Sequence, residues 1–157
     1  MQRPSVPVVL FAAIMPALVL VDIVLKVTTD GIAHKPIIPH VFALQSTHNP
    51  STAFGLLTLT PILLVGMIFM LTVGSVAAWW FMGRRHRLAA VAFAFFIAGA
   101  VGNLYDRIVY GYVRDFMRLT FWETFPIFNF ADLCLTVGCI LLCVHFVLVD
   151  RGGKDAV

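Results

Sequence analysis

The sequence contains few charged residues. Asp, Glu, Lys and Arg make up 12% of the 157 residues, whereas a soluble domain carries about 25%. Hydrophobic residues make up 61% of the chain, compared with about 45–50% in soluble proteins. This shortage of charge argues against a soluble domain and indicates a membrane protein. The net charge is only +3 and the basic residues are scattered, so no nucleic-acid partner is predicted.

The sequence also lacks the signatures of the common hydrolases. It contains no G-x-S-x-G nucleophile motif, no H-E-x-x-H zinc motif and no glycine-rich phosphate loop. Three histidines lie in one polar segment, where their spacing is irregular and Asp30 is the nearby carboxylate. This pattern favours exposed loop histidines over a zinc site. These histidines are His34, His40 and His48.

Cysteine is scarce as well, and no C-x-x-C pair occurs. Cys134, Cys139 and Cys143 all lie within the last apolar run of the chain. We interpret them as small buried apolar residues rather than as metal ligands or a redox pair.

Long apolar runs dominate what the sequence does contain. A membrane-spanning helix needs about 20 apolar residues, and four runs qualify, at residues 6–27, 61–82, 88–106 and 132–150. The first run could instead be a secretory signal peptide. However, no small-residue cleavage site follows it, and Asp22 and Lys26 lie where cleavage would occur. The sequence therefore predicts an all-α membrane protein, a four-transmembrane-helix bundle that forms one domain over residues 1–157.

The basic residues predict the orientation of this bundle. Lys and Arg in short flanks favour the cytoplasmic side, and six of them fall on one side and four on the other. The first side has Arg3, Arg84, Arg85, Arg87, Arg151 and Lys154. The second has Lys35, Arg107, Arg114 and Arg118. We therefore expect both termini in the cytoplasm and the two longer loops, 28–60 and 106–131, outside.

Polar residues gather at the outer ends of the predicted spans. A charge near the bilayer core costs about 2.5–3.5 kcal/mol, so such residues usually face the bundle interior and have a function. Asp22 and Lys26 are spaced i, i+4 in the first run and are expected to form an ion pair. The third run ends with Asn103, Asp106 and Arg107, and Asn129 and Asp132 precede the fourth. Arg107 could support a site or anchor the helix to headgroups.

Asp115 and Asp132 are the carboxylates of most interest. Asp132 could be a simple helix cap, and Asp115, in a strand-like segment, could be a solvated loop charge or a partner of Arg114. If the two met, they would share one proton. One could then act as base on a water while the other protonated a carbonyl oxygen, which is aspartic peptidase chemistry. The residues alone do not establish that they meet.

Four sequence blocks resemble the lipoprotein signal peptidases, the signal peptidase II family. They occur in the family's order and extend over nearly the whole chain. The two shorter blocks are "DIVLK", similar to D-x-x-x-K, and "HNPSTAFGL", similar to R-N-x-G-A-A-F-x-L. The two longer blocks are "GAVGNLYDRIVYGYVRDF", similar to G-A-x-G-N-x-x-D-R-x-x-x-G-x-V-x-D-F, and "FPIFNFADLCLTVG", similar to F-P-x-F-N-x-A-D-x-x-I-x-x-G.

The resemblance implies a peptidase of the bacterial inner membrane with four spans and a small extracytoplasmic β-rich cradle. Such an enzyme removes the signal peptide from diacylglyceryl-modified prolipoproteins, cutting before the lipid-bearing cysteine, without a metal or cofactor. Its implied partners are this substrate, membrane lipids and the family's cyclic-peptide inhibitors. The implied catalytic residues are Asp115 and Asp132. The implied supporting residues are Asn103, Asp106, Arg107 and Asn129, with substrate-side roles for Asn49, Asp22 and Lys26.

The chain departs from the family pattern in the first outer loop and beside Asp115. His48 replaces an arginine, Ser51 a glycine and Thr52 an alanine in the first outer loop. Arg114 replaces an apolar residue, and we expect it to lower the proton affinity of Asp115. These departures favour altered substrate recognition or a relative with a narrower substrate set.

A non-catalytic protein is the rival hypothesis. A small four-span transporter would need charges near the bilayer midplane along a path, whereas here they lie at one end of the spans. A lipoprotein-binding protein that has lost turnover is harder to distinguish from an enzyme by sequence.

Overall fold

The structure, a computed structural model, describes residues 5–50, 61–81 and 86–154. Its elements are α1 (Val6–Thr29), β1 (Lys35–Ile38), β2 (Phe42–Asn49), α2 (Pro61–Phe81), α3 (Arg87–Tyr110), β3 (Val113–Leu119) and α4 (Phe130–Lys154). Each helix coincides with one of the four apolar runs.

Three of these helices are long and apolar enough to cross a membrane. They are Val6–Thr29, Arg87–Tyr110 and the part of α4 over Phe130–Leu148. In α2 the stretch that qualifies as apolar, Val65–Phe81, is shorter than a span. The described residues therefore give three candidate spans, and the fourth stays a prediction.

Helix α3 is the central helix, because it packs against α1, α2 and α4. Small residues line it, and most are fully buried: Ala89, Ala90, Ala92, Ala94, Ala98, Gly99, Ala100 and Gly102. Small residues let helix backbones approach closely where lipid supplies no hydrophobic driving force between helices. At Gly99 a Cβ would lie 2.8 Å from Cγ of Leu135, and at Gly138 one would lie 2.6 Å from the backbone nitrogen of Phe96. The contact of α3 with α4 therefore depends on glycine in both helices.

A three-stranded antiparallel sheet, in the order β1-β2-β3, accompanies the helices. This sheet confirms the β-rich segment that the family resemblance implied. In β2 and β3, Thr47 lies opposite Asp115 and Asn49 lies opposite Val113. The register therefore brings the end of β2 beside Asp115.

Gly111 connects α3 to β3. It adopts the left-handed conformation, with φ 82°, and its N–H donates to the carbonyl of Arg107. Such a glycine ends a helix without the steric penalty that a Cβ would bring. The chain therefore turns back at once, and β3 passes beside the end of the helix that it has just left.

One expectation from the sequence was wrong for two of the cysteines. Cys134 is buried, but Cys139 and Cys143 are exposed. The reason is that only one side of α4 faces α3, and α4 leaves apolar residues such as Ile140 and Val144 exposed as well.

Replacing Gly99 by alanine should destabilise the bundle, because the added methyl group would overlap the backbone of α4. We expect a loss of about 1–3 kcal/mol, as for overpacked cores, measured as thermal unfolding in detergent. The matched control is Gly74→Ala in α2, where a Cβ meets nothing within 4 Å. Because alanine has the higher helix propensity, this control should unfold no earlier than the parent. Equal melting of the two variants would contradict the close approach of α3 and α4.

Candidate active site

Asp115 and Asp132 are brought together by the pairing of β3 with the segment before α4. The backbone nitrogens of Phe116 and Met117 donate to the carbonyl of Phe128 at 3.0 and 2.8 Å, and the nitrogen of Phe128 donates to the carbonyl of Met117 at 3.1 Å. Asn129 follows immediately and α4 begins at Phe130. The strand that carries Asp115 is therefore fixed to the start of the helix that carries Asp132.

Asn129 and Asp132 form a reciprocal cap at the N-terminus of α4. The backbone nitrogen of Asp132 donates to Oδ1 of Asn129 at 3.0 Å, and that of Asn129 donates to Oδ2 of Asp132 at 3.1 Å. This is the geometry of a capping box. Asp132 therefore does take part in the helix cap, one of the roles that its position left open, and the cap also fixes the orientation of its carboxylate.

Two asparagine amides connect the two carboxylates. Nδ2 of Asn129 donates to Oδ1 of Asp115 at 2.7 Å and to Oδ1 of Asn103 at 3.0 Å. Nδ2 of Asn103 in turn donates to Oδ1 of Asp132 at 2.7 Å. Asp115, Asn129, Asn103 and Asp132 therefore form one continuous hydrogen-bond network. From β2, Nδ2 of Asn49 donates to the other oxygen of Asp115 at 2.9 Å.

A buried ion network lies beside this site. Nζ of Lys26 is 2.8 Å from Asp22 and 3.3 Å from Asp106, and these three side chains have at most 1% of their surface exposed. Arg114 binds Asp106 with both Nη2 and Nε, at 2.7 and 3.3 Å. The predicted pair of Asp22 and Lys26 is thus confirmed as part of a larger cluster of two cations and two carboxylates.

The ion network also forms hydrogen bonds to residues that surround the candidate dyad. Lys26 donates to Oδ1 of Asn103 at 3.2 Å, and Oδ1 of Asp22 accepts the backbone N–H of Ala131 in the first turn of α4 at 2.9 Å. Gly102 admits the Asp22 carboxylate, because a Cβ there would lie 2.5 Å from its Oδ2. Removing the charge of Lys26 would leave buried carboxylates uncompensated, at a cost of about 3–5 kcal/mol.

Burial makes Asp115 difficult to ionise. Only 3% of its surface is exposed, and this loss of hydration raises the pKa of its carboxyl from 3.8 to about 6. This pKa of about 6 is the net result of burial and charge repulsion from Asp132, which raise it, and of the hydrogen bonds from Asn49 and Asn129, which lower it. The electrostatic effect of Asp132 is the mark of two carboxylates that share a site.

The expectation for Arg114 was wrong. Its guanidinium lies on Asp106 and 4.3 Å from the ring centroid of Tyr110, and the pKa of Asp115 is raised rather than lowered. Alternate residues of a strand point to opposite faces, so neighbours in sequence need not share partners. The Gly111 turn after α3 was the signal that could have indicated the pairing of Arg114 with Asp106.

The other predicted site residues are distributed around the dyad. Arg107 is half-buried, donates to the carbonyl of Asn103 at 3.2 Å, and interacts electrostatically with both Asp132 and Asp115. Asp22 and Lys26 are fully buried, so the structure favours a supporting role for them over contact with a substrate. Ser51 and Thr52 lie outside the described residues.

Comparison with known proteins identifies relatives over most of the chain. The family model described as signal peptidase (SPase) II matches residues 14–148. A lipoprotein signal peptidase of Symbiobacterium thermophilum is 43% identical over 119 residues, which cover 74% of this chain and 78% of the relative. One from Moorella thermoacetica is 37% identical over 113 residues, covering 72% and 73%. A bacterial membrane enzyme solved by the in meso method at 2.3 Å superposes with a TM-score of 0.83, at 30% identity, covering 94% of this chain and 92% of that one.

The raised pKa of Asp115 predicts a pH-dependent gain in stability from Asp115→Asn. The unfolded chain ionises near 3.8 and the folded protein near 6, so the folded state binds more protons between these values. Stability therefore falls as pH rises through that window, by about 3 kcal/mol. Asparagine does not ionise, so Asp115→Asn does not lose this stability and should melt at a higher temperature than the parent at pH 7.5.

The difference in melting temperature should become small at pH 4, where Asp115 is protonated in the folded protein. Glu123→Gln is the control, because Glu123 is exposed and its variant should follow the parent at both pH values. A gain from Asp115→Asn that stayed constant between pH 4 and 7.5 would contradict the assignment of the raised pKa.

Proposed function

The chain belongs to the signal peptidase II family, and we propose that it is an aspartic endopeptidase whose catalytic pair is Asp115 and Asp132. The observation that carries this proposal is the hydrogen-bond network that joins the two carboxylates through Asn129 and Asn103. The proposed substrate is a diacylglyceryl-modified prolipoprotein, cut before its lipid-bearing cysteine. Its support is the matched family model and the relatives named lipoprotein signal peptidase.

The environments of the two carboxylates suggest different roles. Asp115 retains a proton more readily than a solvated aspartate, with a pKa of about 6, so it suits the acid that protonates the scissile carbonyl oxygen. Both oxygens of Asp132 accept N–H donors, from Asn103 and from the backbone of Asn129. Asp132 also lies in the first turn of α4, where the positive end of the helix dipole favours a carboxylate, so Asp132 acts as the base on the attacking water. One proton is shared between the acid and the base in this proposal.

The surrounding residues hold the pair in place in this proposal. Asn103 and Asn129 orient the carboxylates. Asp106, Asp22 and Lys26 keep the ends of α1 and α3 in register with α4. Arg107 adds a positive charge that offsets the negative charge developing on the substrate oxygen in the transition state. Asn49 reaches Asp115 from the sheet and is the supporting residue best placed to respond to a bound peptide.

The membrane setting completes the proposal. The polar network lies at one end of α1, α3 and α4, and the uncharged helix α2 serves as the fourth span. The six-to-four distribution of basic residues favours cytoplasmic termini and an active site at the outer surface. Exposed apolar side chains on α1 and α4, such as Leu20 and Ile140, suit contact with lipid. Binding of cyclic-peptide inhibitors stays a prediction from the family resemblance.

The arrangement disfavours a transporter. Ion movement needs polar groups distributed along a path through the bilayer, but the buried Asp, Lys and Arg side chains of the described residues gather at one end of the helices. A lipoprotein-binding protein without turnover would not need two carboxylates joined by shared amides. The assay below distinguishes that alternative from the enzyme.

Asp115→Asn and Asp132→Asn should each abolish cleavage of a lipidated prolipoprotein in detergent, because each removes one half of the acid–base pair. We expect a loss of at least about 10³-fold in kcat, in line with removal of an essential proton-transfer group. Glu123→Gln, the same acid-to-amide change at an exposed residue, should keep parental activity. Folding is checked by melting temperature. Full turnover by either aspartate variant would contradict the dyad.

We expect the rate of cleavage to depend on the lipid that the substrate carries. Apolar helix faces beside the site would bind acyl chains, so a prolipoprotein that lacks the diacylglyceryl group should be cut poorly. We expect kcat/KM to fall by at least about 100-fold, because several kcal/mol of apolar contact disappear. Equal rates of cleavage for the two forms would disprove recognition of the lipid.

A further inference from the structure

His48 lies at the end of β2, directly before the asparagine that reaches the candidate dyad. Its Nε2 is 3.1 Å from Oδ1 of Asp30, and Oγ of Ser46 donates to the same oxygen at 3.2 Å. Asp30 itself ends α1, since its N–H donates to the carbonyl of Lys26 at 3.1 Å. The contact therefore fastens the end of β2 to the end of α1.

One face of the His48 ring also has a partner, while half of the side chain is exposed. It stacks on Tyr112 with ring centroids 4.1 Å apart and an interplanar angle of 20°. Tyr112 belongs to the turn between α3 and β3. The residue opposite His48 in β3 is Arg114, whose charge is engaged by Asp106. His48 is thus held between Asp30 and Tyr112.

The contacts of His48 with Asp30 and Tyr112 affect the position of Asn49. It follows His48 in the chain, and its Nδ2 donates to Oδ2 of Asp115 at 2.9 Å. The pairing of β2 with β3 is irregular between Leu44 and Thr47 and resumes at the pair of Thr47 and Asp115. It continues through the pairs His48–Arg114 and Asn49–Val113, so the backbone ladder brings Asn49 beside Asp115, and the side-chain contacts of His48 hold the last residues of β2 in that position.

We propose that His48 and Asp30 together hold the end of β2 so that Asn49 donates to Asp115, which makes His48 a positioning residue for the reaction. This inference rests on the proposed function. The contact exists as a hydrogen bond with neutral His48 and as an ion pair with protonated His48. It also explains how the chain tolerates histidine where the family pattern has arginine, since either side chain can donate to Asp30.

Steady-state cleavage of a lipidated prolipoprotein by His48→Ala, Asn49→Ala and the double variant tests the inference. We expect kcat to fall about tenfold in each single variant, the effect of losing a hydrogen bond to a charged group, with KM within about twofold of the parent. The double variant should lose no more than Asn49→Ala alone, because His48 acts through Asn49. His48→Arg should keep the activity of the parent, and so should His34→Ala, at another exposed histidine.

The pH profile of kcat/KM supplies a second readout. The Asn49 hydrogen bond stabilises ionised Asp115, so its loss should move the apparent pKa of the catalytic pair upward. The shift should appear in His48→Ala and Asn49→Ala alike and be absent from His34→Ala. A structural defect would lower the amount of active enzyme without moving this pKa.

Three outcomes would overturn the inference. They are parental kcat in His48→Ala, a loss in the double variant equal to the product of the single losses, and a rise in KM alone, which would mean that His48 contacts the substrate. Asp115→Asn is included in the same assay. If Asp115→Asn remained active, the dyad itself would be wrong. If it were inactive while His48→Ala behaved as the parent, only the positioning role would fail.

Discussion

The buried ammonium of Lys26 between the carboxylates of Asp22 and Asp106 is the interaction on which the rest of the structure depends. Burial of one charge in an apolar bundle is very costly, and it becomes tolerable only when every partner is in place. Asp22 belongs to α1 and Asp106 to α3, and Asp22 also accepts an N–H from the first turn of α4. Three helices are therefore fixed relative to one another by a single set of charges.

The candidate dyad benefits from this rigidity but is stabilised in a different way. Lys26 reaches Asn103, and from there neutral amides connect Asp115 and Asp132. Amides orient the carboxylates without supplying a full positive charge at hydrogen-bond distance, so Asp115 keeps the raised pKa that burial causes. Had Arg114 bound Asp115 rather than Asp106, its charge would have favoured the ionised form and opposed the acid role. The ion network and the dyad are thus adjacent yet electrostatically distinct.

The sequence predicted those contacts that depend on local geometry. The i, i+4 spacing of Asp22 and Lys26 was enough to predict their ion pair, and the position of Asp132 at a helix start was enough to raise a cap as one of its roles. Contacts between distant segments were beyond such reasoning. Lys26 and Asp106 are 80 positions apart, and the register of β2 against β3, which brings Asn49 to Asp115, shifts between Leu44 and Thr47 in a way that the residue pattern does not show. The family resemblance selected Asp115 and Asp132 as a pair, whereas the asparagine bridges between them became visible only in three dimensions.

The departures from the family pattern at His48 and Arg114 show how residues around the dyad can change while the dyad stays the same. His48 and Arg114 lie opposite each other in β2 and β3, and each has a carboxylate partner of its own, Asp30 and Asp106 respectively. The hydrogen bonds to the Asp115 carboxylate come instead from Asn49 and Asn129. We therefore expect substitutions at these positions to act on the dyad through the position of the strands rather than through a salt bridge to Asp115. Since reaction rates are sensitive to small displacements of the reacting groups, the sheet is the part of the fold in which specificity can vary while the chemistry is retained.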